Sequence, residues 1–352
     1  MSTTEAPVIS VDAMGGDHGP AVVIAGMAKA LKREPDLKFI LHGPETDLAA
    51  LMARRADLAA ATTLRDAPRA VSMKDKPSAA LRAAEGTSMW AALGSVADRG
   101  ARAAVSCGNT GALMAMAMLR LRKAPGVDRP AIAVVWPSRG AAGYNIVLDV
   151  GADVRLDPRA LAQFAMMGAE YARLSLGLAK PRLGLLNVGA EENKGRPELH
   201  EARALIAESA EAGGYELVGF VEGGDLCGDR ADVIVTDGFT GNIALKSAEG
   251  AASFIRAELR RSFDRNLFTK LAGLIALPVF SGLKRRIDPR RVNGGVFLGL
   301  GGAVVKSHGG ADATGVAAAI GLAARMARTG FAERVAAQAS RLSPAIIGES
   351  GR

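Results

Sequence analysis

The stretch Ala103–Leu121, AAVSCGNTGALMAMAMLRL, constrains the fold more than any other part of this chain. Ala103–Ser106 is a short apolar run that reads as a buried strand. Gly108-Asn109-Thr110-Gly111 breaks it, and an almost uncharged helix is expected from Ala112 to Leu121. Glycine lets a backbone turn sharply and lets a ligand approach it closely. The helix N-terminus beyond offers unpaired N–H groups and a positive dipole end, which suits an anion such as phosphate. A plain strand-to-helix turn capped by Asn109 or Thr110 leaves the same trace. What favours an anion is that the chain repeats the device.

Taken in order, Val8–Val11 reads as a strand that runs into Asp12-Ala13-Met14-Gly15-Gly16-Asp17-His18-Gly19-Pro20, and Pro20 opens a helix to about Arg33. Further strands are expected at Lys38–Leu41, Ala61–Leu64, Ala131–Trp136, Tyr144–Asp149, Arg182–Asn187, Glu216–Val221 and Val233–Val235. Helices are expected at Glu45–Arg55, Ser78–Val96, Pro158–Leu178, Glu198–Ala212, Ala311–Arg328 and Phe331–Arg341. Strands alternating with helices imply an α/β three-layer sandwich around a mainly parallel sheet. Ligands of such sheets sit beyond the carboxyl ends of the strands, which is where LDVGAD (Leu148–Asp153), LLNVGAEENKG (Leu185–Gly195) and Thr236–Asn242 fall. Asn109, Asn187, Asn193, Asn242 and Asn293 lie in or beside glycine turns, five of the seven asparagines, and on a single rim they would ring an anion with neutral donors. Lys194, Lys246 and Lys306 follow such turns in a chain with twelve lysines. A lone lysine is usually a solvated surface charge; three at strand ends favour a phosphate site.

Composition narrows the function. With 352 residues, 49% hydrophobic, the chain can bury a large core. A net charge of +8 suits nucleic acid, an anionic membrane surface or an acidic partner. Aromatics make up only 4% and none interleave with Lys/Arg, so no nucleic acid is expected. Cys107 and Cys227 form no CxxC, no leader-like segment opens the sequence, and a reduced cytoplasmic setting is expected. His18, His42, His200 and His308 lack ligand spacing, so neither metal nor cofactor is expected. No GxGxxG follows a strand, no GK dipeptide allows a P-loop, and no GxSxG marks a hydrolase elbow.

Val8–Pro20, Ser106–Met114 (SCGNTGALM), Leu148–Asp153, Leu185–Gly195, Asp237–Lys246 (DGFTGNIALK) and Val304–Gly309 (VVKSHG) together resemble the phosphate acyltransferases of bacterial phospholipid synthesis, the PlsX family. The resemblance implies a fold like that of phosphotransacetylases and isocitrate dehydrogenases, and a homodimer. It implies reversible transfer of a fatty acyl group from acyl-[acyl carrier protein] to inorganic phosphate, giving acyl-phosphate. It further implies peripheral membrane association and hand-over of product to an integral-membrane glycerol-3-phosphate acyltransferase. Two positions depart from the family's pattern: Cys107 where alanine is common, and Asp153 where asparagine is common.

Phosphate attack on a thioester needs cations, N–H donors and an oxyanion hole. Lys194, Asn109, Lys306 and His308 are the expected catalytic residues: Asn109 at the phosphate or oxyanion turn, the lysines neutralising charge, and His308 carrying a proton. Asp12, Gly15, Gly16, Asp17, Gly108, Thr110, Gly111, Asp149, Asn187, Asp237, Gly241 and Asn242 are expected to bind or frame phosphate and substrate. His308 serves equally well as a structural hydrogen-bond partner. A coenzyme A-dependent phosphotransacetylase and a non-catalytic membrane adaptor are the competing functions; retention of all six loops speaks against the adaptor.

One catalytic domain is expected over residues 7–345, with disordered tails at 1–6 and 346–352 and a helical hairpin at 243–292. Leu245, Ala248, Ala252, Ile255, Leu259 and Phe263 recur at helical spacing, as core or as a dimer interface. Leu271–Phe280 (LAGLIALPVF) is ten uncharged residues, about half the roughly 20 that span a bilayer. Pro278 and Gly282 are expected to break it into two arms, with Lys284, Arg285, Arg286, Arg290 and Arg291 following. Leu271, Leu274, Ile275, Phe280, Lys284, Arg285 and Arg286 would touch an anionic membrane surface; a buried helix with a solvated basic end is the alternative.

Overall fold

The computed structural model describes residues 6–155, 157–287 and 295–347. Eleven strands form one sheet: β1 Val8–Asp12, β2 Lys38–Gly43, β3 Thr62–Asp66, β4 Ala103–Ser106, β5 Ala131–Pro137, β6 Tyr144–Leu148, β7 Arg182–Leu186, β8 Glu216–Val221, β9 Val233–Val235, β10 Gly295–Leu298 and β11 Ala303–Lys306. Their order across it is β3-β2-β1-β4-β11-β10-β5-β6-β9-β7-β8. Residues on alternate faces enter different cores, as the two-residue period of a strand requires. On β4, Ala103 and Val105 join the cluster that holds Val23, Phe164 and Ile320. Ala104 joins the cluster that holds Met89, Leu113 and Met116. Helices therefore cover both faces, and the three-layer α/β sandwich stands.

Direction within the sheet is the feature the sequence does not reveal. β1, β2, β3, β4 and β11 are mutually parallel. β10 runs antiparallel to β11 and to β5, and β5 antiparallel to β6. β6, β9, β7 and β8 are again parallel to one another. Three antiparallel pairings at the centre thus reverse the second set relative to the first. The strand ends do not share one rim: those of β1, β4 and β11 open on one edge, those of β6, β9 and β7 on the other. β10 and β11, four residues each, were hidden by the glycines of Gly299–Gly302, which make the region read as loop.

Several helices differ from expectation: Glu45–Arg55 ends at Met52, and Glu198–Ala212 is two helices, Pro197–Glu208 and Ala210–Gly213. The run Ser78–Val96 is two helices, Pro77–Arg82 and Ser88–Ala97. Gly86 at φ 75° turns the chain between them, and Thr87 caps the second by accepting from Trp90 N–H. Leu267–Ile287 is one continuous helix with Pro278 inside it. Proline removes one backbone hydrogen bond, and the flanking turns carry that local loss. The chain turns instead at Asp264–Asn266, after the helix Gly238–Phe263. The two helices meet where Phe263 faces Phe280 edge-on at 5.5 Å. Phe254, Ile255 and Leu259 on the first helix are exposed, as are Leu271, Leu274 and Ile275 on the second. Leu245 packs against the core, and beyond it the apolar stripe is surface. Lys284, Arg285 and Arg286 fall on the last turns of the helix. Arg290, Arg291, Asn293 and residues 1–5 and 348–352 of the expected tails lie outside the described residues.

Candidate functional site

The first edge gathers the ends of β1, β4 and β11. Ser106 pairs with Lys306 across β4 and β11, which sets the Asp12, Ser106 and Lys306 strand ends side by side. Asp12 is 1% exposed. It accepts hydrogen bonds from Ser88 Oγ and Ser106 Oγ, both at 2.6 Å, and from Met14 N–H at 3.2 Å. Burial pushes its carboxyl above the usual range, and the two hydroxyls pull the other way. Gly15 crosses directly over this group. A Cβ there would lie 2.6 Å from Gly108 N and 2.7 Å from Asp12 Oδ2, so only glycine fits. Gly16 and Asp17 continue the loop against β11: Asp17 N–H donates to Gly309 O at 2.8 Å.

The β4 turn opens the helix Thr110–Arg120. Asn109 Oδ1 accepts from Ala112 N–H at 3.0 Å, while its amide donates to Met73 O and Asp75 O at 3.0 and 2.9 Å. The side chain is thus a cap and a strap for the 73–75 loop. Gly108 N–H donates to Ser106 Oγ at 3.0 Å, and Gly111 faces Pro77. The N–H groups of Thr110 and Gly111, in the first turn, have no intrahelical acceptor, and the Thr110 side chain is exposed.

Lys306 is 8% exposed, and its ammonium donates to Cys107 O at 3.4 Å and to Ser307 O. Burial lowers its pKa to about 8, against the opposing pull of Cys107, Asp12 and Asp17. A lysine so placed is a strong cation at neutral pH and loses its charge just above it. Cys107 is buried, and burial pushes its thiol up to about 11. It is protonated at neutral pH and is no ready nucleophile. His308 is exposed, and its Nδ1 accepts from Gly310 N–H at 3.1 Å.

The second edge holds the other expected residues. Asp149, fully buried, accepts from the N–H groups of Ile132, Gly151, Ala152 and Asp153. It shapes the loop after β6. Asp237 caps the Gly238–Phe263 helix, accepting from Thr240 N–H and hydroxyl at 2.9 and 2.8 Å. Gly241 presses against that loop so closely that a Cβ would lie 1.9 Å from Asp149 O. Asn242 is exposed beside Gly151. Asn187 straps the next loop, donating to Lys194 O at 3.0 Å and accepting from Val188 N–H at 2.8 Å. Lys194 itself is exposed. Lys246 pairs with Glu249 at 2.7 Å on the long helix. Asp153, the departure from asparagine, is ion-paired with Arg129.

The residues expected around one anion are therefore two groups. Neighbouring strands lie about 4.8 Å apart, so three steps from β11 to β6 separate Lys306 from Asp149 by roughly 14 Å laterally, and their opposite directions add to it. No motif in the sequence marks Ser88, Met73 or Asp75 as part of this edge. Nothing in a Thr-Ser pair at a helix start marks a residue that reaches a carboxylate 76 positions away.

Comparison with known proteins agrees with this architecture. The chain superposes on EutD phosphotransacetylase from Staphylococcus aureus with TM-score 0.60 at 17% identity, covering 92% of this chain and 95% of that one. It superposes on a phosphotransacetylase from Streptococcus pyogenes with TM-score 0.62 at 17% identity, covering 91% and 94%. These share the fold. In sequence it is 61% identical over 331 residues to a phosphate acyltransferase of Cereibacter sphaeroides, 94% of this chain and 90% of that one. It is 59% identical over 334 residues to the phosphate acyltransferase of Paracoccus denitrificans, 95% and 90% of the two chains. The family model described as fatty acid synthesis protein matches residues 8–334, and with that span this chain belongs to the fatty acid synthesis protein family, among relatives that are phosphate acyltransferases.

Proposed function

We propose that the chain transfers a fatty acyl group from the thioester of acyl carrier protein to inorganic phosphate, giving acyl-phosphate for phospholipid synthesis. The observation that carries this reading is Lys306, a nearly buried cation beside the Thr110–Arg120 helix N-terminus, in a chain about 60% identical to phosphate acyltransferases. Phosphate sits between the Lys306 ammonium and the Thr110 and Gly111 N–H groups. One of its oxygens attacks the thioester carbonyl, the tetrahedral oxyanion draws on the same donors, and the C–S bond breaks. The sulfur leaves as thiolate, which takes the proton given up by the attacking hydrogen phosphate, with His308 as carrier. Asn109 acts by fixing the turn, and Asp12, Gly15, Gly16, Asp17, Gly108 and Gly111 frame it.

Lys194 and the Asp149, Asn187, Asp237, Gly241 and Asn242 loops face the opposite edge, so a homodimer that sets one edge against the partner's other edge completes the site. Direct attack is preferred over an acyl-lysine at Lys194, because an amide is a far poorer acyl donor than a thioester. The net charge of +8 suits an acidic carrier protein, though it separates the carrier only weakly from coenzyme A, itself an anion. The exposed apolar residues of the 243–287 helices support docking on an anionic membrane surface, beside an integral-membrane acyltransferase that consumes the product. No helix among the described residues is long and apolar enough to cross a membrane. The cytoplasmic side is the corresponding location.

Mixing tests the paired edges. Lys306→Met and Lys194→Ala proteins, each inactive, should regain about a quarter of wild-type turnover when co-refolded. Absence of rescue, with mixed dimers present, would put both lysines in sites built from one chain. Intact-mass measurement after mixing with acyl carrier substrate tests direct attack, and a stable adduct on Lys194 would overturn it.

A further inference from the structure

The hydroxyls that hold Asp12, at the end of β1, come from two other elements. Ser88, 1% exposed, opens the helix Ser88–Ala97 and donates to Oδ1; Ser106, 3% exposed, ends β4 and donates to Oδ2. Both contacts are 2.6 Å, the length of charge-assisted hydroxyl–carboxylate bonds. A serine has one proton to give, and each gives it to Asp12. Ser106 Oγ then accepts from Gly108 N–H at 3.0 Å, which ties the carboxylate to the turn that starts the phosphate-facing helix.

The charges around this network are few. Lys306 faces Asp12, Asp17 and Cys107. Cys107 is a protonated thiol at neutral pH. His42, on β2 beside β1, is tied to Ser95 Oγ at 3.1 Å and is neutral there, its pKa lowered to about 4 by burial and by the charge of Arg65. His308 lies at the exposed mouth.

We propose that Ser88, which lies outside all six glycine-rich loops, is a positioning residue of the phosphate site. Its hydroxyl holds Asp12 as an aimed anion, and Asp12 in turn fixes the Gly108 turn through Ser106 and supports the charge of Lys306. The inference rests on reading this edge as the phosphate end of an acyltransferase site. Ser88 touches neither phosphate nor acyl group; it acts through Asp12.

The test uses full-length Ser88→Ala and Ser88→Thr proteins. Binding of inorganic phosphate is measured by calorimetry without acyl donor, and the pH profile of phosphate-dependent thiol release is measured with acyl carrier substrate. Ser88→Ala should raise the phosphate Kd and KM roughly tenfold, the worth of one charge-assisted hydrogen bond, with a smaller change in KM for the acyl donor. The acid limb of its pH profile should move to higher pH, because without the hydroxyl Asp12 takes up a proton at higher pH. Ser88→Thr keeps the hydroxyl and should restore that limb. A wild-type phosphate Kd and an unmoved acid limb in Ser88→Ala would overturn the proposal, even with a lower kcat, because a purely structural loss does not move the limb. If Ser88→Ala does not fold, Ser106→Ala is read by the same two measurements. Wild-type protein that binds phosphate yet releases no thiol would overturn acyl transfer, while the calorimetry still decides the role of Ser88. Wild-type protein that binds no phosphate would overturn both.

Discussion

Replacing Lys306 with methionine separates what this residue does for catalysis from what it does to stability. Methionine fills a similar volume without the charge. At an effective dielectric of about 20, an ammonium 4 Å from a phosphate charge contributes about 4 kcal/mol. Only the part gained in the transition state counts towards rate, so turnover should fall roughly a hundred- to a thousandfold. Stability should move the other way. Burial depresses the ammonium from 10.5 to about 8, equivalent to about 3 kcal/mol against the folded state. Because the folded pKa lies below the unfolded one, this penalty is complete below about pH 8 and vanishes as pH rises through 10.5. Asp12 loses a counter-charge in the mutant but keeps both serine hydroxyls, which trims the gain. Lys306→Met should therefore unfold in urea at a concentration equal to or above wild type at pH 7, with the wild type gaining on it by pH 10. Wild-type turnover should itself decline above about pH 8 as the ammonium is lost. A folded mutant with near-normal kcat/KM for phosphate, or one whose deficit in stability is largest at pH 7, refutes the reasoning.

Other consequences are equally direct. His42, depressed from 6.5 to about 4 chiefly by burial, favours the fold while neutral. Its contribution of about 3 kcal/mol is present above pH 6.5 and lost as pH falls to about 4, so the difference in unfolding free energy between wild type and His42→Gln should shrink across that window and not above it. Gly241→Ala should destabilise by about 3 kcal/mol or more, because its Cβ would meet a backbone carbonyl, Asp149 O, at 1.9 Å; an unchanged urea midpoint would count against this packing. Leu274→Glu/Ile275→Glu, at positions 63% and 74% exposed, should abolish co-sedimentation with anionic liposomes at low salt, and a double mutant that pellets like wild type would clear the helix of that role.

Most of the fold was legible because its signals are local. Val8–Val11, Ala103–Ser106 and Val233–Val235 are apolar runs closed by polar glycine turns, and Asp157, Asp237 and Asp312 stand where helix caps belong. Strand direction was not legible. It depends on β10 and β11, a short hairpin whose outer edges pair with β5 and β4 far away in the chain, and no periodicity reports which way a neighbour runs. That is why Asn109 and Asn187, alike in sequence context, occupy opposite edges. The site was read at the level of residue type but not of reach. Lys306 was visible as a lysine after glycines, whereas its burial comes from packing around the β4 and β11 ends. Ser88 was invisible, since its meaning lies entirely in a contact with Asp12. The stripe around Ile255 and Leu259 was ambiguous because spacing defines an apolar face without saying what covers it.

The most direct measurement is release of carrier thiol from purified long-chain acyl-[acyl carrier protein] with and without inorganic phosphate, with the acyl product followed by mass spectrometry. Acyl transfer to phosphate predicts thiol release that saturates with phosphate, one acyl-phosphate formed per thiol, and at least tenfold lower kcat/KM with the matching acyl-CoA. Thiol release that does not depend on phosphate, or that yields free fatty acid without acyl-phosphate at early times, would contradict it.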